Sequence, residues 1–121
     1  MIHILGEQNS IFNTFMAQVR DKSVQTDSMR FRRNLERIGE IMSYEISKTL
    51  NYEQRQVETP LGEASVSLIS DKLVIATVLR AGLPLHQGFL NYFDNARSAF
   101  VAAYRKNEKS GKFTVKVEYV S

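Results

Sequence analysis

Two arginines close the two most apolar β-patterned runs of the chain: Arg80 ends "VIATVLR" and Arg105 ends "FVAAYR". Ala81 and Gly82 follow the first, and a helix-like pattern follows them. In an open α/β sheet, ligands bind beyond the carboxyl ends of the strands, where loops depart for helices. Two strand-terminal guanidiniums on one rim would offer planar paired donors to a phosphate or diphosphate. A glycine at position 82 would let the backbone pass close to such a ligand, and the amides of a helix starting there would add donors. The alternative is that both arginines simply reach solvent from strand ends, and spacing by itself leaves that open.

The remaining elements must bring those two strand ends together. "SIFNTFMAQVRDK" places Ile11, Phe12, Phe15, Met16 and Val19 on one helical face, with Asn9 or Ser10 as N-cap. "SMRFRRNLERIGEIMSYEISKTLN" repeats the pattern through Phe31, Leu35, Ile38, Met42, Ile46 and Leu50, with Asp27 or Ser28 as N-cap and a stop near Asn51. The period then shortens. "NYEQRQVETPLGEASVSLI" reads as β structure on both sides of a turn at Pro60–Gly62, with Val66 and Leu68 on one face and Ser65 and Ser67 on the other. "KLVIATVL" is apolar on both faces, as suits a strand buried between helix layers in a parallel sheet. Leu85, Phe89, Leu90 and Phe93 then fit a short helix before the strand "RSAFVAAYR", which makes a βαβ unit. "KNEKSGK" is a charged turn, and Phe113, Val115, Val117 and Tyr119 alternate along a last half-exposed strand. These patterns predict an α/β chain of one domain, residues 1–121, in which 1–51 form a helical cover, 52–105 a core ending in the βαβ unit, and 106–121 a β-arm.

Composition narrows the chemistry. The 121 residues are 43% hydrophobic and 24% charged, as in a soluble globular domain. No apolar stretch approaches the ~20 residues that span a bilayer, so no membrane partner is expected. "MIHILGEQNS" lacks the basic start and long apolar run of a secretory signal, which makes the cytoplasm the expected location. The absence of cysteine excludes disulfides, thiol nucleophiles and cysteine-held zinc. His3 and His86 stand far apart in sequence, which argues against a structural metal site. A net charge of +3 is too small to argue for nucleic acid by itself. Ser110, Gly111 and Lys112 superficially resemble the end of a P-loop, but Lys106 stands where the motif needs its first glycine, and no Ser or Thr follows Lys112.

Four blocks in order, "DSMRFRRNLERIGEIMSYE", "VETPLG", "LRAGLPLHQGFL" and "AYR", resemble the uracil phosphoribosyltransferase family nearly end to end, and Leu-Arg-Ala-Gly-Leu is the specific one. The resemblance implies a phosphoribosyltransferase-type, Rossmann-like parallel sheet, here incomplete. It implies formation of uridine monophosphate and diphosphate from uracil and 5-phosphoribosyl 1-diphosphate, with Mg2+ as cofactor. It also implies that Arg80, Ala81, Gly82 and Arg105 contact the diphosphate, that the loop holds a cis peptide (Arg80–Ala81 being the candidate), and that the protein is a homodimer, with 106–121 reaching the partner, open to a nucleotide effector. The chain departs from the pattern at Asn95, where the family often has proline, and at Lys106, which intervenes after the arginine. The family's acidic-Ala-Thr-Gly-Gly loop for the phosphoribose and its Gly-Asp-rich uracil segment do not occur in these residues, so an N-terminal part, inactive by itself, is expected. Arg30, Arg32, Arg33 and Arg37 read as a solvated helix face near Glu36 and Glu40. Their competing readings are a dimer contact or an anionic partner, the latter with a non-catalytic regulator on the same fold that binds RNA or nucleotide. His86 is expected to cap its helix or face solvent, and Tyr104 to lie in the core.

Overall fold

The computed structural model describes residues 1–121 except the side chain of Tyr119, so the expected facing of that residue lies outside the described residues. A 3-10 turn at Leu5–Glu7 leads into two helices, α1 (Ile11–Arg20) and α2 (Ser28–Ser47). Each is started by a short oxygen-bearing side chain that accepts from an otherwise orphaned amide. Ser10 Oγ takes the Phe12 N–H at 3.2 Å, and Asp27 Oδ1 takes the Arg30 N–H at 3.1 Å. Asn34 of α2, fully buried, donates to Gln18 of α1 at 2.8 Å and ties the pair together.

Two strands follow, β1 (Tyr52–Thr59) and β2 (Gly62–Ile69), paired antiparallel from Tyr52↔Ile69 to Thr59↔Gly62. Gly62 turns the corner with φ of 125°, where a side chain would be strained. The alternation of Val66 and Leu68 does not bury a face, because no element packs against this hairpin closely and both residues are about two-fifths exposed.

The second sheet carries the site. Its order is β3 (Val74–Leu79), β4 (Arg97–Asn107), β5 (Phe113–Val120), and α3 (Leu83–Tyr92) connects the first two. β3 and β4 run parallel from Val74↔Arg97 to Leu79↔Ala102, which is the expected βαβ unit. β4 and β5 are antiparallel, so the sheet is mixed rather than wholly parallel. β4 also runs on to Asn107 instead of ending at Arg105, since β5 returns alongside and supplies its hydrogen-bond partners. β3 is not buried on both faces. Thr77 is buried and Ile75 and Leu79 half-buried beneath α3, whereas Val74 and Val78 on the opposite face remain 62% and 57% exposed.

The tightest packing lies where α2 crosses α3. Gly39 and Gly88 meet there: a Cβ on Gly39 would stand 2.6 Å from the Leu85 carbonyl oxygen, and one on Gly88 would run into the Glu36 carbonyl. Ile38 and Ser43 of α2 are buried as well. Asn91 of α3 donates to both Glu36 and Glu40 at 2.8 Å along the rim of this contact. Among the described residues, no helix is long and apolar enough to cross a membrane.

Candidate anion-binding site

β3 ends at Leu79, and only Arg80 and Ala81 separate it from Gly82, the N-cap of α3. Gly82 has an ordinary helical φ of −74°, so its special property here is size. A Cβ would stand 2.8 Å from Thr77 Cγ2 and 2.8 Å from the Val78 carbonyl oxygen. The close approach that glycine permits is therefore to the chain's own strand. The helix amides behave similarly. Gly82 N–H donates to Val78 at 3.1 Å, Leu83 N–H donates to Arg80 at 3.1 Å, and Pro84 has no amide hydrogen. Two of the expected helix-terminal donors, the Gly82 and Leu83 amides, are thus consumed within the loop, and the guanidiniums are its charged donors. A non-proline cis peptide joins Leu79 to Arg80, one bond before the Arg80–Ala81 bond that the family resemblance made the candidate.

Arg105 approaches from the second strand. It lies three residues past Ala102, the last parallel partner of β3, in the part of β4 that pairs with β5 alone. The β4–β5 register shifts between Ala102 and Ala103, a bulge of the kind that re-aims a strand. The Arg105 guanidinium sits over the Phe113 ring at 4.2 Å from its centroid. Arg80, Ala81, Gly82 and Arg105 all line one open cavity of about 1260 Å³ that runs along the whole of β3, from Leu73 to Gly82. Met42, Phe89 and Phe93 form part of its apolar wall, and Glu118 of β5 is the carboxylate on it.

A family model for uracil phosphoribosyltransferase matches residues 7–118. This chain belongs to the uracil phosphoribosyltransferase family. A uracil phosphoribosyltransferase of Porphyromonas gingivalis is 53% identical over all 121 residues, which cover 56% of that protein. One from Pyrobaculum arsenaticum is 45% identical over 106 residues, covering 86% of this chain and 49% of its own, and one from Thermococcus gammatolerans is 38% identical over 116 residues, covering 94% and 50%. The chain thus spans about half the length of the curated relatives it matches. The solved structure of the AQ2163 protein from Aquifex aeolicus superposes with a TM-score of 0.74 over 93% of this chain and 52% of that one. At 22% identity, that likeness shows the fold.

Several residues take places other than those the sequence suggests. His86 neither caps its helix nor meets solvent; it is buried and bonded to hydroxyls of β3 and β4. Tyr104 is not in the core but 44% exposed, and its hydroxyl donates to Glu118 at 2.9 Å. That hydrogen bond raises the phenol's pKa above its ordinary value. The basic face of α2 is mostly engaged within the chain. Arg33 pairs with Glu36 at 2.9 Å, Arg30 lies 3.8 Å from Asp27, and Arg37 bonds Asn34 and covers the Phe15 ring. Among the described residues, no three His, Asp or Glu side chains gather as metal ligands. Glu118 already serves Tyr104 and lies 3.7 Å from Lys116, so the cavity wall does not fit a metal held by this chain alone.

Proposed function

We propose that the protein carrying these residues is a cytoplasmic uracil phosphoribosyltransferase of pyrimidine salvage, joining uracil to the ribose of 5-phosphoribosyl 1-diphosphate and releasing diphosphate. The observation that supports it is the convergence of Arg80, Ala81, Gly82 and Arg105 on one cavity, in a chain of this family. Uracil nitrogen attacks ribose C1 as the C1–diphosphate bond breaks, the nitrogen's proton passes to solvent, and negative charge grows on the departing group. Two fixed guanidiniums aimed at that charge stabilise the transition state more than the ground state. Mg2+, where the reaction uses it, would come with the diphosphate substrate and supply further positive charge to the leaving group. The protein acts as a homodimer in this reading. The hairpin β1–β2 and the outer β4–β5 ribbon, both rich in exposed apolar side chains, are the surfaces that would meet the partner.

The test is an assay of uridine monophosphate formation with the full chain, its Arg80→Ala and its Arg105→Ala variants. A hydrogen bond to a charged group contributes about 1.5–3 kcal/mol, so each change should lower kcat/KM by about tenfold to a hundredfold. Unchanged turnover in both variants would remove the diphosphate from this rim.

A further inference from the structure

Beneath the Arg80 loop, one buried imidazole joins three elements. His86, in the first turn of α3, is 6% exposed and lies against the Phe100 ring of β4 at 5.1 Å between centroids. Its Nδ1 is 2.6 Å from Thr77 Oγ1 of β3, and its Nε2 is 3.0 Å from Ser98 Oγ of β4. Thr77 is the register partner of Phe100, so the ring straddles the parallel pair just below its carboxyl end.

Thr77 has a second contact, with its methyl turned to Gly82 so closely that no Cβ fits there. Gly82 in turn accepts the His86 N–H at 2.9 Å and donates its own to Val78. Thr77, Gly82 and His86 therefore close a ring of contacts around the residues on either side of Arg80 and Ala81. An apolar pair at 77 and 86 would join helix to sheet without desolvating any polar group, but apolar contact is non-directional. A hydrogen bond fixes distance and angle. The Ser98 contact ties α3 to β4 by itself, whereas the Thr77 contact bears on the loop.

We propose that His86 is a positioning residue: through Nδ1 it holds Thr77, Thr77 holds Gly82, and the loop so fixed aims Arg80 at the diphosphate. The inference rests on the diphosphate reading above. It is tested in the full-chain enzyme by comparing Thr77→Val, His86→Gln, His86→Asn and Ser98→Ala, with Arg80→Ala as reference. Asn keeps a polar atom near the position of Nδ1 and Gln one near that of Nε2. Thr77→Val and His86→Gln should raise KM for phosphoribosyl diphosphate about tenfold, the scale of one lost buried hydrogen bond, with KM for uracil unmoved. His86→Asn should recover most of that loss, and Ser98→Ala should lower the melting temperature alone. Equal effects of Asn and Gln, or lowered melting temperatures with no change in this KM, would overturn the proposal while Arg80→Ala still raises it. An Arg80→Ala enzyme with unchanged KM would overturn the diphosphate reading, and this inference with it. Should His86→Gln not fold, Thr77→Val, which keeps the methyl against Gly82, decides the matter.

Discussion

Glu36 shows how much one side chain can fasten. Its carboxylate accepts from Asn91 across the helix crossing and from Arg33 on its own helix. The Asn91 hydrogen bond, then that from Arg33, lowers its pKa below the ordinary glutamate value. A carboxylate with a depressed folded pKa contributes stability above its unfolded pKa and loses it as pH falls through the folded one. The melting temperature should therefore exceed that of Glu36→Gln at neutral pH, and the gap should close as pH falls through and below the ordinary glutamate range. A gap that persists at acid pH would mean that shape, not charge, matters at this position. Among the candidate site residues, Arg80 and Arg105 were legible only as guanidiniums at the ends of apolar runs, a pattern that also fits side chains reaching solvent; the structure adds that both line one cavity. The role of Gly82 was not legible, since the contact that requires it is with Thr77, placed by the tertiary fold. His86 was misread for the same reason. Its partners lie nine and twelve residues away, and only the sheet register brings them under one ring. The polar Thr77 inside an otherwise apolar run was the available signal.

At the scale of elements, the α2–α3 crossing is the joint that the rest depends on. Gly39→Ala and Gly88→Ala would each push a methyl against backbone of the opposite helix, which cannot rotate away as a side chain can. Overpacking costs about 1–3 kcal/mol, and the better helix propensity of alanine returns up to about 1 kcal/mol. Both variants should melt lower than the parent, Gly88→Ala the more so. Gly6→Ala is the control, because the nearest atom to its Cβ is Phe12 Cε1 at 3.9 Å, an ordinary contact. Equal melting temperatures for all three would mean that the helices can separate freely. The helices themselves were legible from the sequence, with the N-caps of α1 and α2, because periodicity and capping are local, although α2 ends at Ser47, short of the expected stop near Asn51. The βαβ unit was legible too, from strand, helix and strand patterns in order. The length of β4 and the two-sided exposure of β1–β2 were not. Both depend on what lies alongside: β5 prolongs β4, and no element covers the hairpin closely.

At the scale of the molecule, residues 1–121 studied by themselves should behave differently from the longer relatives. β3 is an edge strand in this sheet, and Val74 and Val78 are exposed on it. Val115, Val117 and Val120 are exposed as well, on β5 at the other side. An unpaired strand edge beside an apolar face is a template for association. Sedimentation velocity on these residues should show dimers or larger species at micromolar concentration, and a lone monomer would count against it. Catalysis should fare worse than folding. The cavity wall carries two guanidiniums, which in the proposed reading take the diphosphate, but the phosphoribose and uracil segments that the family resemblance implies are absent from the sequence. Holding both reactants in line can supply about 7–11 kcal/mol of a barrier reduction. A site that grips only the leaving group keeps some anion affinity and forgoes that alignment. Calorimetry with magnesium diphosphate should therefore detect weak binding that Arg80→Ala and Arg105→Ala diminish, while the same sample yields no uridine monophosphate from uracil and phosphoribosyl diphosphate. Turnover by these 121 residues comparable to that of a full-length relative would show that the rim and cavity suffice, and would move the aligning groups into the elements described above.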